Sequence, residues 1–249
     1  MRRQRCLSRP RASQTVVAAD GAVRLDTIFQ RKYVVPILLA SLVPILNQAT
    51  GVNSLLNYSV VLMQRAGLEG MMANWADTVI KFANLLFTCV AMALVDRKGR
   101  KFLLTIGTAG VTLGLVVVGC LFLATERGWI GVGPLSGWGI VAAFVLFIGG
   151  FAVGPGVCVW IVMTELMPLR FRAGGLMVAQ FLAMGASYTL AQTFLPWSKT
   201  FGDSSVFLSL SVFGLLYFLM VTVFLPETKG KSLEETEEYF GNGRRVGND

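Results

Sequence analysis

Long apolar stretches alternate with short polar segments along most of the chain. Six stretches are long enough to cross a hydrocarbon core, which takes roughly 20 apolar residues in a helix. They are Tyr33–Leu62, Trp75–Val95, Phe102–Ala124, Gly137–Thr164, Ala173–Trp197 and Val206–Leu225. The pattern therefore predicts an all-α, polytopic membrane bundle of six transmembrane helices over residues 33–225. A basic segment (1–32) precedes this bundle, and a tail (226–249) follows it.

Two of the six stretches contain residues that interrupt helices. The interruptions are Pro36, Pro44 and Gly51 in the first stretch, and Gly149-Gly150 with Gly154-Pro155-Gly156 in the fourth. Broken membrane helices are tolerated mainly where the freed backbone groups line a cavity or a binding site. This feature favours a transport function.

The basic residues are distributed unevenly between the two sides of such a bundle. If the amino terminus is cytoplasmic, that side holds eight Lys or Arg in 1–32, four in 96–101, two in 169–172 and four in the tail. Against these eighteen, the opposite side holds only Arg65, Arg127 and Lys199. Positive loops are typical of the cytoplasmic side, so we expect both termini in the cytoplasm. The net charge of +8 then needs no nucleic-acid partner.

Composition narrows the function further. With 54% hydrophobic and 14% charged residues, the chain is too apolar for a soluble domain. It has no histidine, and its four cysteines are widely spaced, which argues against a disulfide framework, a CxxC metal site, a His-based zinc site and a His general base, and so makes an enzyme less expected. The first nineteen residues are Arg-rich and free of acids, which suits either a basic flank ahead of the first membrane span or a mitochondrial transit peptide. We expect the first of these, with the protein in the plasma membrane.

Amide side chains cluster in the first apolar stretch. Gln48 and Asn53 favour contact with a ligand, because an amide both donates and accepts hydrogen bonds, as each hydroxyl of a sugar does. Asn84 in the second stretch favours the same interpretation. For Asn47 and Asn57, hydrogen bonding between helices is an equal alternative.

Charged residues inside or beside the apolar stretches form three groups. Asp77 and Lys81 are four residues apart and are expected to pair along one helix, with an ion pathway as the alternative. The loop 96–101 combines an acid, a glycine and four bases in six residues. Glu165 precedes Pro168, Arg170 and Arg172. The last two groups suggest either an ion-pair network that holds one conformation or simple solvated loops.

Four motifs in order resemble the sugar porter family of the major facilitator superfamily. They are Gln48-Ala-Thr-Gly51-Val-Asn53 with Tyr58; Asp96-Arg97-Lys-Gly99-Arg100-Lys101; Gly154-Pro-Gly with Trp160-Ile-Val-Met-Thr-Glu165-Leu-Met-Pro168 and Arg172; and Pro226-Glu227-Thr228-Lys229-Gly230. The resemblance covers Phe29 to Tyr239 and corresponds to the carboxyl-terminal six helices of a twelve-helix carrier.

The resemblance implies a function and assigns roles to residues. It implies uptake of a hexose or related polyol by alternating access, with no enzyme activity and no cofactor. The sugar would be bound by Gln48, Asn53, Asn84, Trp160 and Asn47. Tyr58 would lie near the external gate. The cytoplasmic latch, a set of ion pairs and their turn, would comprise Asp96, Arg97, Gly99, Arg100, Glu165, Arg172 and Glu227.

The sequence departs from the family pattern at several positions. Asn47 and Asn57 stand where a glutamine and a tyrosine are expected, and Ala152 stands where a glutamate is common. The Asn-Trp pair expected in the fifth stretch falls at Ala183-Met184. These departures weaken a specific prediction of glucose.

The half-length resemblance also predicts partners. Besides the sugar and the lipid bilayer, the chain would need the amino-terminal half of the carrier or another carrier chain. A non-transporting sugar sensor or regulatory subunit is the alternative, although the tail of about 24 residues is short for a signalling domain.

Overall fold

A computed structural model describes residues 31–168 and 172–225, except for the side chains of residues 31–33 and 96. The basic segment at 1–32, apart from the helical backbone of its last two residues, and the tail at 226–249 therefore lie outside the described residues. Nine helices follow one another in the described part. They are α1 (Arg31–Ala49), α2 (Val52–Asn57), α3 (Ser59–Arg65), α4 (Met71–Lys98), α5 (Arg100–Glu126), α6 (Pro134–Val153), α7 (Pro155–Leu166), α8 (Arg172–Phe201) and α9 (Asp203–Phe224).

These helices make six spans that are long and apolar enough to cross a membrane. The first span joins α1 and α2 and continues into α3, and the fourth joins α6 and α7. The prediction of an all-α bundle of six membrane helices is confirmed. Three boundaries differ from the prediction by four or five residues. The first apolar span ends at Asn57 rather than Leu62, the second begins at Met71 rather than Trp75, and the fifth ends at Phe201 rather than Trp197.

The first span is interrupted where its sequence contains Gly51. This glycine has φ +79°, a conformation that residues with a Cβ rarely adopt. A second irregularity follows at Tyr58, which separates α2 from α3. In contrast, α1 continues through Pro36 and Pro44. The glycine rather than either proline therefore determines where the first span breaks.

The third and fourth spans approach each other through glycines. A Cβ on Gly107 of α5 would lie only 2.5 Å from Gly154 Cα, and one on Gly150 would lie 2.7 Å from Gly110 C. Gly154 is also the residue that divides the fourth span into α6 and α7. Close backbone contact between small residues is a common way for membrane helices to pack. The break in the fourth span is thus held directly against α5.

We expect Gly107→Ala to destabilise the bundle by about 1–3 kcal/mol, the usual cost of overpacking a close contact. The new methyl group would press on the backbone of Gly154 and Gly150 and on the rigid ring of Pro155, which cannot move aside as a flexible side chain can. Gly139→Ala is the matched control, since a Cβ there meets nothing within 4 Å. Thermal unfolding of the two variants in detergent checks the prediction, and equal melting temperatures would contradict it.

Two buried clusters hold the spans together. The first surrounds Phe207 of α9, whose ring lies 5.2 Å from that of Phe122 and 5.7 Å from that of Phe144, between ring centroids. The second includes Val43, Cys158 and Tyr217 and joins α1, α7 and α9. The long helix α5 packs most extensively against α9 and α6, while α1 packs mainly against α8. This arrangement places the break in the first span beside α8.

Candidate binding site in the six-helix bundle

The break after α1 brings two of the predicted site residues together. Gln48 is only 4% exposed at the end of α1, and Asn53 is exposed in α2. The Asn53 Nδ2 group donates a hydrogen bond of 2.8 Å to Gln48 Oε1. Their spacing of five residues is unusual for contact on a regular helix, and the left-handed turn at Gly51 makes it possible.

A serine that the sequence analysis missed completes this group. Asn53 Nδ2 also donates to Ser187 Oγ on α8, at 3.0 Å. The signal was available, because Ser187 lies one helical turn after Ala183, where the family pattern expects an asparagine. We call Gln48, Asn53 and Ser187 the amide cluster. Its donors and acceptors suit an uncharged ligand with several hydroxyl groups.

The remaining predicted sugar contacts occupy different environments. Asn47 is buried, and its Oδ1 has no hydrogen-bond partner among the described residues, so it does not join the amide cluster. Asn84 is half-buried in the middle of α4, and Trp160 is partly exposed on α7. Within the described part of the chain, neither Asn84 nor Trp160 has a side-chain hydrogen bond to the cluster. Their contact with a sugar remains a prediction.

Tyr58, the predicted gate residue, connects the first span to α8 through two contacts. Its ring stacks on Phe194 with 5.6 Å between centroids, and its hydroxyl donates to the Ala191 carbonyl at 3.4 Å. The residue lies between α2 and α3, at the second irregularity of the span. A change in the α2–α3 angle would therefore also move this contact.

The expected pair between Asp77 and Lys81 is present. Lys81 Nζ donates to Asp77 Oδ2 at 2.8 Å, as the four-residue spacing predicted. In addition, Ser59 Oγ donates to Asp77 Oδ1 at 2.5 Å. Because Ser59 follows Tyr58 directly, the carboxylate links α4 to the start of α3.

At one end of the bundle, the structure brings together one pair from the predicted latch. Arg100 Nε lies 3.4 Å from Glu165 Oε1, and both side chains are about one quarter exposed. Gly99 separates α4 from α5 with φ +90°, a conformation that residues with a Cβ rarely adopt. Arg172 begins α8. The Asp96 and Arg170 side chains and Glu227 lie outside the described residues.

At the opposite end, the structure shows a network that sequence reasoning missed. Arg65 at the end of α3 forms an ion pair of 2.7 Å with Asp203, and Ser198 is hydrogen-bonded to both. Beside them, Glu126 accepts hydrogen bonds from the Ser204 backbone N–H, at 3.1 Å, and from its hydroxyl. The carboxylates also face the positive amino terminus of α9, which stabilises them.

Asp203→Ala should destabilise the bundle by about 1–3 kcal/mol, since it leaves Arg65 and Ser198 without their shared acceptor. Ser205→Ala is the control, because Ser205 Oγ donates only to the backbone carbonyl of its own turn. Thermal unfolding in detergent measures both. A melting temperature for Asp203→Ala equal to that of the control would show that the network contributes nothing.

Two spans bury far less of their surface within the chain than the others. Only 17% and 11% of the most apolar stretches of the second and fifth spans are buried, against 44% or more in the other four. The exposed surface of α8 includes several polar side chains: Tyr188, Thr189, Gln192 and Thr193. Asn53 of the amide cluster is exposed beside it. Polar groups of this kind are costly against lipid.

This fold, with broken first and fourth spans and a polar site between the first and fifth spans, defines a membrane transporter of the major facilitator type. The family model described as "Sugar (and other) transporter" matches residues 11–240. The chain belongs to that family, and so to the sugar porters.

Named relatives and solved structures agree with this assignment. A facilitated trehalose transporter of Bombyx mori is 32% identical over 247 residues, which cover 95% of this chain and 46% of that protein. A galactose-proton symporter of Escherichia coli is 29% identical and covers 84% and 44%. The proton:xylose symporter XylE bound to 6-bromo-6-deoxy-D-glucose superposes with a TM-score of 0.71 at 26% identity, covering 82% and 42%.

An inward-open conformation of XylE gives a TM-score of 0.69 at 27% identity, again over 82% of this chain and 42% of that one. The chain therefore spans about half the length of the relatives it matches. All of these relatives are transporters rather than enzymes.

Proposed function

We propose that this chain is the carboxyl-terminal half of a sugar carrier that works by alternating access. The observation that carries the proposal is the amide cluster at the break of the first span. It presents uncharged donors and acceptors at the middle of a membrane bundle, where a polyhydroxyl ligand is matched and an ion is not. A hexose or a related polyol is the proposed substrate.

The proposed binding residues are Gln48, Asn53 and Ser187, together with Asn84, Trp160 and Asn47. Tyr58 is the proposed gate on the external side. The Arg100–Glu165 pair, with Asp96, Arg97, Gly99, Arg172 and Glu227, is the proposed latch on the cytoplasmic side. In this orientation both termini are cytoplasmic, and the membrane is the plasma membrane.

The second and fifth spans supply the proposed contact surface for the other half. Their exposed faces flank a first span in which Asn53 and Asn57 are also exposed, and relatives are about twice as long as this chain. A second six-helix bundle of the same family would cover these polar faces and close the missing wall of the site. It would be either an upstream part of the same polypeptide or a separate carrier chain.

The proposal is tested by tagging the carboxyl terminus at the native locus and isolating the assembly from membranes. The apparent mass of the tagged polypeptide, compared with 27.0 kDa for this chain, distinguishes a fused from a separate partner half. The isolated assembly is then reconstituted in liposomes and assayed for uptake of D-glucose, D-galactose, D-xylose and trehalose. Uptake of at least one sugar is expected. Saturable binding without uptake would favour the sensor, and neither binding nor uptake would refute the proposal.

A further inference from the structure

The Asp77–Lys81 pair lies at an unusual depth for two charged side chains. Both residues belong to the second span, Met71–Val95, and Lys81 is ten residues from its nearer end. At 1.5 Å per residue, this places Lys81 about 15 Å along the helix. A lysine at such a depth normally faces a water-filled path or a polar partner, because lipid cannot solvate the ammonium group.

The two side chains of the pair are not equally accessible. Lys81 is 55% exposed, whereas Asp77 is 14% exposed and is held from the other side by Ser59. The Asp77 carboxylate is therefore largely buried against the first span, whereas the Lys81 ammonium group is on the exposed surface of the bundle. Lys81 lies on the sparsely buried face of the second span.

Helix register places Lys81 on the same face of α4 as Asn84, one of the proposed sugar contacts. Lys81 precedes Asn84 by three residues, so the two share one face of α4, one turn apart. Asp77 contacts Ser59, which follows the proposed gate residue Tyr58. The pair thus occupies the level between the gate and the middle of α4.

The hydrogen-bonding capacity of Lys81 is only partly used. An ammonium group has three N–H donors, and the bond to Asp77 Oδ2 takes one of them. Asp77 also neutralises the charge locally. The pair can therefore donate hydrogen bonds to the oxygens of an uncharged ligand without requiring a charge on that ligand.

We propose that Lys81 is a further sugar-binding residue, which donates hydrogen bonds to hydroxyl oxygens of the substrate as it passes the gate. Asp77 is its positioning residue, since it fixes the ammonium group and keeps the site neutral. This inference rests on the proposed sugar transport. Lys81 would be a sugar contact outside the amide motifs. Asp77 would favour neutral sugars over sugar acids.

Cysteine accessibility tests whether Lys81 lines the path. Lys81→Cys, Asn53→Cys and Leu113→Cys are made separately in the full assembly with the four native cysteines replaced by serine. Leu113 is 60% exposed on α5 and serves as the lipid-facing control. A membrane-impermeant thiol reagent is expected to label positions 81 and 53 but not 113. The sugar with the highest uptake in the liposome assay should slow labelling at both 81 and 53 several-fold.

The accessibility results separate this inference from the proposed function. One outcome is that sugar protects position 53 while position 81 is either not labelled or not protected. That outcome overturns the role of Lys81 and leaves the sugar carrier intact. Absence of sugar protection at position 53 argues against the amide cluster itself, and so against the proposed function.

Ligand preference tests the roles of the two charges. Lys81→Met keeps the length of the side chain but removes the donors, and it should weaken binding of the same neutral sugar about tenfold. Lys81→Arg should restore most of the affinity. Asp77→Asn leaves the ammonium group uncompensated, so D-glucuronate should compete several-fold better relative to the neutral sugar. Unchanged affinity in Lys81→Met, or an unchanged ratio in Asp77→Asn, would overturn the proposal.

Discussion

Asn53→Ala is expected to weaken sugar binding by ten- to a hundredfold while leaving membrane insertion intact. The substitution removes the amide that joins Gln48 to Ser187. It leaves their oxygens without a shared donor and removes a direct donor to the ligand. Loss of a hydrogen bond costs about 1–3 kcal/mol when a partner is left unsatisfied, and each 1.4 kcal/mol corresponds to a factor of ten in affinity.

Equilibrium binding of the best-transported sugar to the isolated assembly measures this effect. Asn74→Ala is the matched control, because it removes an exposed amide that lies near the start of α4 and away from the amide cluster. Ser187→Ala should give a smaller loss, since Asn53 keeps its bond to Gln48. Wild-type affinity in Asn53→Ala would move the sugar site elsewhere in the bundle.

Arg100→Glu is expected to shift the balance between the two access states and to slow transport, with little change in intrinsic sugar affinity. The pair it breaks joins the start of α5 to the end of α7. At an N···O distance of 3.4 Å and with about one quarter of each side chain exposed, its attraction is on the order of 1 kcal/mol. Reversing the sign of one partner adds repulsion, so a population change of five- to thirtyfold is expected.

The double variant Arg100→Glu with Glu165→Arg restores opposite charges and should recover a large part of the transport rate. The conformational balance is read from the labelling rate of Asn53→Cys with an impermeant reagent applied from either side. Lys199→Glu is the control for a change of net charge, because Lys199 is exposed near the carboxyl end of α8. Failure of the double variant to recover would show that the pair does not act as a latch.

The Arg65–Asp203 network and the Arg100–Glu165 pair lie at opposite ends of the bundle. Arg65, Asp203 and Ser198 join α3, α8 and α9 at one end, while Arg100 and Glu165 join α5 and α7 at the other. Both sets are formed together in this chain. We therefore expect the Arg65–Asp203 network to stabilise the bundle itself, whereas the Arg100–Glu165 pair is the proposed latch that changes the balance between access states.

The sequence determined the six spans, because each is a continuous apolar run long enough for a bilayer, and lipid admits few alternatives to a helix. It also indicated the breaks at Gly51 and Gly154 and the Asp77–Lys81 pair, which depend on local geometry within one span. The motifs indicated the family, which the match over residues 11–240 shows.

Contacts between distant segments required the tertiary structure. Ser187 joins Asn53 across 134 residues, and Asp203 joins Arg65 across 138. The periodicity of a single helix shows which residues share a face, but it does not show which neighbour that face meets. Likewise, all six spans are apolar, so only packing revealed that the second and fifth are sparsely buried. That difference exposes the polar face through which we expect this half to complete its carrier.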